Sequence, residues 1–475
     1  MDPMETQAEN LTDRTALARR VQDELGENVY LCYQCVKCTS GCPLAQFFDW
    51  QPNQIMRALQ LGMEDIALQS NTPWLCASCQ TCTTRCPQGL DITRIMEFLT
   101  REARARGYKP PQPTVDIFNQ AFMREVRLWG RAYELGLMAE LKLRSGDVFS
   151  DLDLGMAMIQ RSKLPFTPTL VRPPRRVKPV EGAGQAVAYY PGCSLHSTSR
   201  EYSASAWAAC EALGIRLYEP KGWVCCGSTP AHRADPDESL RLPLENLALI
   251  EKLGFQEAAM PCAACYNHHK TALHELNQKP QKKTSLARQM NYAYRDTVKV
   301  NSLLETVMEH AGVKGIEAQV KKPLLGLKAA CYYGCLLTRP PEVTGAEHPE
   351  NPVMMDRLVA ALGAEVVDWS YKTFCCGATH SLTRPDIART LSAALIEHAR
   401  QAGAEVIAVA CPLCHTNLDA RQIQMGLETP MPVLFFTQLM TLAFGLPVRK
   451  AMLNKNLVDP RPLLAEKGLI PAGAA

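Results

Sequence analysis

"VCCGSTP", residues 224–230, sets two cysteines side by side and follows them with a glycine; "FCCGATH", residues 374–380, does so again. Neighbouring side chains on a strand face opposite ways, so both thiols of a pair reach one site only where the backbone turns. Gly227 and Gly377 supply that turn, since a residue without Cβ takes unusual φ values without a clash. A vicinal disulfide is the bland explanation of one such pair. Two pairs, each with three more cysteines at matched distances, point to two equivalent thiol-rich sites. Between Cys193 and the Cys225–Cys226 pair lie 31 residues, and 35 more lie between that pair and Cys262 and Cys265; between Cys335 and Cys375–Cys376 lie 39, and 34 more lie before Cys411 and Cys414. Five thiols are one more than zinc or an ordinary cubane takes.

The flanks repeat as well. "QAVAYYPGC" (185–193) is answered by "LKAACYYGC" (327–335), each a short apolar strand ending in Gly-Cys. Helical stretches follow at 203–213 and 352–362, stopped by Gly214 and Gly363, then the strands "IRLYEP" and "AEVVDW". A second helix leads to a strand ending in C-x2-C, "AAMPCAAC" or "VIAVACPLC". The offset of 142 to 150 residues is a domain duplication rather than a solenoid repeat. Strands alternating with helices predict α/β domains around parallel strands at 185–325 and 326–450, with the cysteines at the carboxyl ends of the strands, where such sheets bind ligands. Residues 451–475 read as a C-terminal tail.

The N-terminal part is of another kind. "CYQCVKCTSGCP" places Cys32, Cys35, Cys38 and Cys42 before Pro43, and "CASCQTCTTRCP" places Cys76, Cys79, Cys82 and Cys86 before Pro87. Both have the C-x2-C-x2-C-x3-C-P spacing of bacterial ferredoxins, in which the fourth cysteine serves the other cluster. Cys32, Cys35, Cys38 and Cys86 are therefore expected at one [4Fe-4S] cluster, and Cys76, Cys79, Cys82 and Cys42 at a second. Zinc ribbons stop at four ligands in two separated pairs, which these runs exceed. Between and after the runs, residues 53–69 (Ile55, Leu59, Met63, Ile66) and 92–107 show helical periodicity. Residues 1–110 are expected to form an α-helical ferredoxin module. Residues 111–184 are expected to be helices and then a linker, "RPPRRVKP" at 172–179. The whole reads as an α+β multidomain chain.

The 475 residues carry 51 basic and 48 acidic side chains, which argues against a nucleic-acid binder. No secretory signal or membrane span is visible; 431–447 reads as a buried strand leading into a helix. A cytoplasmic, reducing location fits the 20 cysteines, of which Cys210 and Cys331 are left over as ordinary buried thiols. Neither a dinucleotide nor a Walker fingerprint occurs.

The C-x31–39-C-C-x34–35-C-x2-C pattern resembles the CCG domain of the heterodisulfide reductase B subunit, and the two ferredoxin runs resemble its C subunit. Together they resemble the fused D-subunit form, and the likeness extends to "HPENPVMMDRLVAALGAEVVD" and "CPLCHTNLD". That resemblance implies two noncubane [4Fe-4S] clusters, one on Cys193, Cys225, Cys226, Cys262 and Cys265, the other on Cys335, Cys375, Cys376, Cys411 and Cys414, beside the two cubane clusters. It implies a catalytic subunit, belonging to anaerobic metabolism, that cleaves or forms a small disulfide with electrons relayed through the ferredoxin clusters. It further implies a partner, either a flavin-containing A-like subunit or a cytochrome b-type subunit through which the protein associates with a membrane. His196, His268, His269, His380 and His415 stand near the cysteines as candidate proton donors, and Arg200 and Arg339 as candidate anion contacts. The competing reading is an electron-transfer subunit of another complex, of the glycolate oxidase, anaerobic glycerol-3-phosphate dehydrogenase or benzoyl-CoA reductase type.

Overall fold

The computed structural model describes residues 15–471 apart from 173, 175 and 176. Part of the Pro/Arg-rich linker and the first and last residues of the chain thus lie outside the described residues.

The N-terminal module is helical. Its helices are α1 (Ala16–Leu25), α2 (Pro52–Gln60), α3 (Glu64–Gln69) and α4 (Ile92–Ala105), with short turns at the cysteine runs. In α4 the i, i+3, i+4 spacing of Ile92, Ile95, Met96 and Leu99 buries one stripe. Asp91 caps it by accepting from the Arg94 N–H at 3.0 Å, and Gly107 leaves it at φ 77°. The single helix expected over 53–69 is two. Gly62 turns left-handed between them, and Met63 is carried off the buried face, although Ile55 and Leu59 stay in the core.

Three helices follow, α5 (Pro113–Trp129), α6 (Glu134–Ser145) and α7 (Leu152–Gln160). Two α/β units then repeat one topology. The first has β1 (Val187–Tyr189), α8 (Arg200–Ala212), β2 (Leu217–Tyr218), α9 (Pro236–Lys252), β3 (Glu257–Met260), α10 (Ala263–Gln278), β4 (Lys299–Ser302) and α11 (Leu303–His310). The second has β5 (Lys328–Tyr332), α12 (Met354–Ala361), β6 (Glu365–Val366), α13 (Pro385–Gln401), β7 (Val406–Val409), α14 (Pro412–Ala420), β8 (Val433–Phe435) and α15 (Phe436–Ala443). The all-parallel sheets run β2-β1-β3-β4 and β6-β5-β7-β8. The inner strands β1, β3, β5 and β7 are mostly buried, as their apolar sequences require, whereas the edge strands β2 and β6 are only partly covered.

The units share one core. Tyr202 of α8 stacks on Phe435 at 4.0 Å, and Ser205 meets Thr437 across the α8–α15 contact at 2.7 Å. Residues 451–471 pack onto the fold: Leu453, Leu464 and Ile470 are buried in that same core.

Candidate metal centres

Each α/β unit reverses its strand order between the first and third strands, and the crevice at their carboxyl ends is where the cysteines gather. In the first unit Cys193 follows β1, Cys225–Cys226 follow β2, and Cys262 and Cys265 follow β3 and open α10. Their thiols touch in an unbroken series: Cys193 with Cys225, Cys226 with Cys265 at 3.5 Å, Cys265 with Cys262. The second unit has the corresponding pairs, Cys335 with Cys375, Cys376 with Cys414 at 3.7 Å, and Cys414 with Cys411.

Glycine makes both crevices possible at two levels. Gly227 and Gly377 turn left-handed at φ 85° and 75°, and each donates its N–H to the first thiol of its pair at 3.4 Å. Gly192 and Gly334 are tighter. A Cβ on Gly192 would stand 2.8 Å from Cys265 Sγ, and one on Gly334 2.9 Å from Cys414 Sγ. Tyr190 and Tyr332, each three residues before the first cysteine of its set, donate to the carbonyls of Val224 and Phe374 at 2.7 Å, pinning the residue before each pair. The sequence motifs assign these tyrosines no role, though their matched register in the repeat marks them.

The ferredoxin runs are also built alike. Gln34 and Val36 in one, Ser78 and Gln80 in the other, flank the second cysteine with φ between 50° and 65°. A left-handed β-branched residue such as Val36 is a genuine outlier, and successive N–H groups so turned make an anion-binding nest. Cys76, Cys79 and Cys82 share one small enclosed cavity with Cys42 of the other run. Thr81 and Thr93 hydroxyls approach Cys79 and Cys82 Sγ at 3.3 and 3.5 Å. Cys35, by contrast, is exposed.

The thiol groups are arranged in a line. Cys79 touches Cys375, and Cys411 touches Cys262, so the second ferredoxin run meets the second α/β site, which in turn meets the first. Guanidinium groups accompany this line, those of Arg233 and Arg339 buried. Arg233 donates to the Trp74 and Cys76 carbonyls, Arg339 to Thr81 Oγ1 and the Thr373 carbonyl, and Arg131 lies over the Trp223 ring near Cys193 and Cys225. Arg131 and Arg233 belong to no motif, so nothing in the sequence singles them out.

The candidate histidines are engaged elsewhere. His380 meets the Leu75 carbonyl at 2.7 Å, His269 the Cys265 carbonyl at 2.7 Å, and His415 the Val433 carbonyl at 3.0 Å while stacked on Phe435. Burial pushes His269 and His380 down to about 4, so these imidazoles are neutral and structural. His268 pairs with His232, a residue not singled out from sequence, at 2.7 Å, and half-exposed His196 meets Glu219 at 2.9 Å. Arg200 is exposed with its Nε on the His196 carbonyl, and Arg339 is buried with its guanidinium on Thr81, the Thr373 carbonyl and Glu350.

The donor set fits iron–sulfur clusters. Burial pushes Cys38 up to about 11 and Cys76 up to about 12, and thiols so placed ionise only when cations take up the charge. The glycines at 192 and 334 leave sulfur the room that a side chain would fill, and the nearby guanidinium groups offset the charge of thiolates. Among the described residues no group of three or more His, Cys, Asp or Glu is arranged to hold a single metal ion.

Comparison with known proteins agrees. The cysteine-rich domain family CCG matches residues 187–270 and 329–419, and the 4Fe-4S dicluster domain matches 31–91. The chain is 35% identical over 283 residues to the 8-methylmenaquinol:fumarate reductase membrane anchor subunit of Wolinella succinogenes, covering 58% of this chain and 98% of that one. It is 30% identical over 273 residues to the B subunit of the ferredoxin/F(420)H(2)-dependent CoB-CoM heterodisulfide reductase of Methanosarcina acetivorans, covering 55% and 90%. It is 38% identical over 81 residues to the iron-sulfur C subunit of the CoB--CoM heterodisulfide reductase of Methanopyrus kandleri, covering 17% of this chain and 42% of that one. The chain therefore belongs to the heterodisulfide reductase family of iron–sulfur oxidoreductase subunits, with a C-like dicluster module and a B-like pair of CCG domains in one polypeptide.

Proposed function

We propose that this chain is the catalytic subunit of a disulfide-reducing or thiol-oxidising complex. The observation that carries this reading is the order of neighbouring thiol groups, in which Cys79 of the second ferredoxin run lies beside Cys375 of the second CCG crevice and Cys411 of that crevice lies beside Cys262 of the first. In this reading Cys32, Cys35, Cys38 and Cys86 hold one cubane cluster and Cys76, Cys79, Cys82 and Cys42 the other. Cys193, Cys225, Cys226, Cys262 and Cys265 hold one noncubane cluster, and Cys335, Cys375, Cys376, Cys411 and Cys414 the second. When bound, such clusters supply single electrons and iron that accepts sulfur. The protein's own part is to fix the cysteines through Tyr190, Tyr332 and the glycines, to exclude water, and to carry compensating charge on Arg131, Arg233 and Arg339. The overall balance is R–S–S–R with two electrons and two protons giving two thiols, the electrons arriving at Cys35's end from a flavin or cytochrome subunit. Among the described residues no helix is long and apolar enough to cross a membrane.

Anaerobic isolation tests the reading. Four four-iron clusters predict about 16 iron atoms per chain, and a disulfide should alter the electron paramagnetic resonance (EPR) signals of the CCG centres. The fumarate reductase relative favours a second reading, an electron-transfer subunit. It wins if the ferredoxin clusters cycle while no disulfide or thiol ever alters a CCG signal.

A further inference from the structure

The family matches stop at residue 91 and resume at 187, and α5, α6 and α7 lie between them. A helix packed on a core buries one apolar stripe and leaves a polar face to water. α7 departs from that rule. It buries Leu154 and Met158, yet Leu152, Met156 and Ile159, at i, i+4 and i+7, form a second apolar stripe that is 59%, 57% and 37% exposed. The turn entering α7 adds to it. Leu143, near the end of α6, is 74% exposed, and Phe149 is 83% exposed. Single apolar residues scattered over a surface need no explanation, but a run of protruding ones on consecutive elements does.

Positive charge is set beside this stripe. Residues 154–180 hold six Lys or Arg and no Asp or Glu, in a chain whose whole excess is +3. Lys163 is buried on Glu201, but Arg172 and Lys178 are exposed and meet no acid among the described residues. At the C-terminal end of α7 the fold draws in Lys455 and Arg200 as well. Arg161 donates to the Asn454 carbonyl and Lys455 to the Arg161 carbonyl, while burial, and after it the charge of Arg200, holds the Lys455 ammonium below its ordinary value. The acids nearby are engaged: Glu201 pairs with Lys163 and Asp459 with Arg461, and Asp153 of α7 accepts from Gln424. Arg161, Arg200 and Lys455 thus form a basic cluster at one end of the apolar stripe.

An apolar stripe edged by bases suits a protein that lies on a membrane surface, where hydrocarbon takes the stripe and anionic headgroups take the bases. A protein partner would have to offer a pocket to each protruding tip, whereas lipid moulds itself to any shape. We infer that the α6–α7 surface docks on an anionic lipid bilayer. Leu143, Phe149 and the outward stripe of α7 enter the boundary between headgroups and acyl chains, and Arg161, Arg200 and Lys455 meet phosphates. This docking goes beyond the sulfur chemistry proposed above and does not rest on it.

The test uses the full chain, loaded with clusters and kept anaerobic, in co-sedimentation with vesicles of phosphatidylcholine alone or with about 30% phosphatidylglycerol. At about 0.1 M salt the chain should bind the anionic vesicles at least about tenfold more tightly than the neutral ones, and the difference should shrink at about 1 M, where charges are screened beyond about 3 Å. Each basic side chain near an anionic surface adds about fivefold in affinity, so Arg161→Gln with Lys455→Gln should weaken binding about thirtyfold. Phe149→Ser with Met156→Ser should weaken it at least about tenfold. Iron content should match the parent chain in both variants; if the first loads less iron, the second, whose substituted side chains are exposed, decides alone. Equal binding to neutral and anionic vesicles, no binding to either, or undiminished binding by an iron-loaded variant would overturn the inference. So would a chain that ignores vesicles but self-associates in size-exclusion chromatography until Phe149→Ser with Met156→Ser returns it to a monomer, since the stripe would then be a protein interface.

Discussion

Replacing Gly192 with alanine probes the first CCG centre most directly. Gly192 sits at φ 74°, ψ 166°, a region almost reserved to glycine, where another residue costs about 1–3 kcal/mol. The added Cβ would also stand 2.8 Å from Cys265 Sγ and 3.7 Å from Cys262 Cβ. Carbon and sulfur rest comfortably only beyond about 3.5 Å, so the thiol must retreat by roughly 0.7 Å or more. It cannot swing freely, because Cys265 lies in the first turn of α10 and is walled by Cys226 and Cys262. Iron should fall from about 16 to about 12 atoms per chain, with the first CCG signal lost and the ferredoxin signals intact. Gly214→Ala is the control: its φ is also 74° but nothing lies within 4 Å of the new methyl, so it carries only a backbone cost of about 1–2 kcal/mol and keeps its iron. Gly334→Ala should mirror the loss at the second unit. Metal analysis and low-temperature EPR of anaerobic material read all three variants. Full iron and an unaltered spectrum in Gly192→Ala would refute a centre built around Cys265.

Four further outcomes follow from the same geometry. Cys375→Ser should disturb only a CCG centre, whereas Cys35→Ser should cut electron supply and leave the CCG centres assembled; loss of all clusters in both, by EPR, would contradict the modular assembly. Arg339→Met removes bonds to Thr81 Oγ1, the Thr373 carbonyl and Glu350 at the seam where Cys79 meets Cys375, a cost of about 1–3 kcal/mol. Rapid-freeze EPR should show reduction of the CCG centres slowed at least about tenfold with normal ferredoxin signals, the equivalent of about 1.4 kcal/mol. Val36→Gly relieves a left-handed valine and should stabilise the ferredoxin module by about 1 kcal/mol in anaerobic urea titration. Burial pushes Glu134 up to about 7 against its bond from Ser197 and the pull of Arg200, so its carboxyl loses its proton as pH rises through that value. Since the folded value lies above the ordinary 4.5, the stability linked to Glu134 falls as pH climbs from about 4.5 to about 7, which urea midpoints across that window will detect.

Much is legible in the order of residues alone, because the metal-binding parts are short and repeat. The four cysteine runs, the offset between the two α/β units and the glycines after each vicinal pair all depend on spacing along the chain, and spacing survives without a fold. The same holds for β8 and α15, where an apolar run of strand length is followed by one of helix length. What escapes depends on distance in space. The histidines beside the cysteines look like proton donors because they are near in sequence, yet the rings of His269, His380 and His415 meet backbone carbonyls. Met63 keeps helical register with Leu59 until Gly62 breaks it. Arg131 and Arg233 approach cysteines that lie dozens of residues away.

The chain order of its residues thus determined which thiols belong together and that the α/β unit occurs twice, since ligand sets and strand–helix alternation are local patterns. Only the tertiary structure decided that the two copies are unequal. One packs its thiols against the ferredoxin run at Cys79, and the other opens beneath three helices. No sequence period records that difference, because it arises from which surfaces the N-terminal module and α5–α7 cover when apolar area is removed from water.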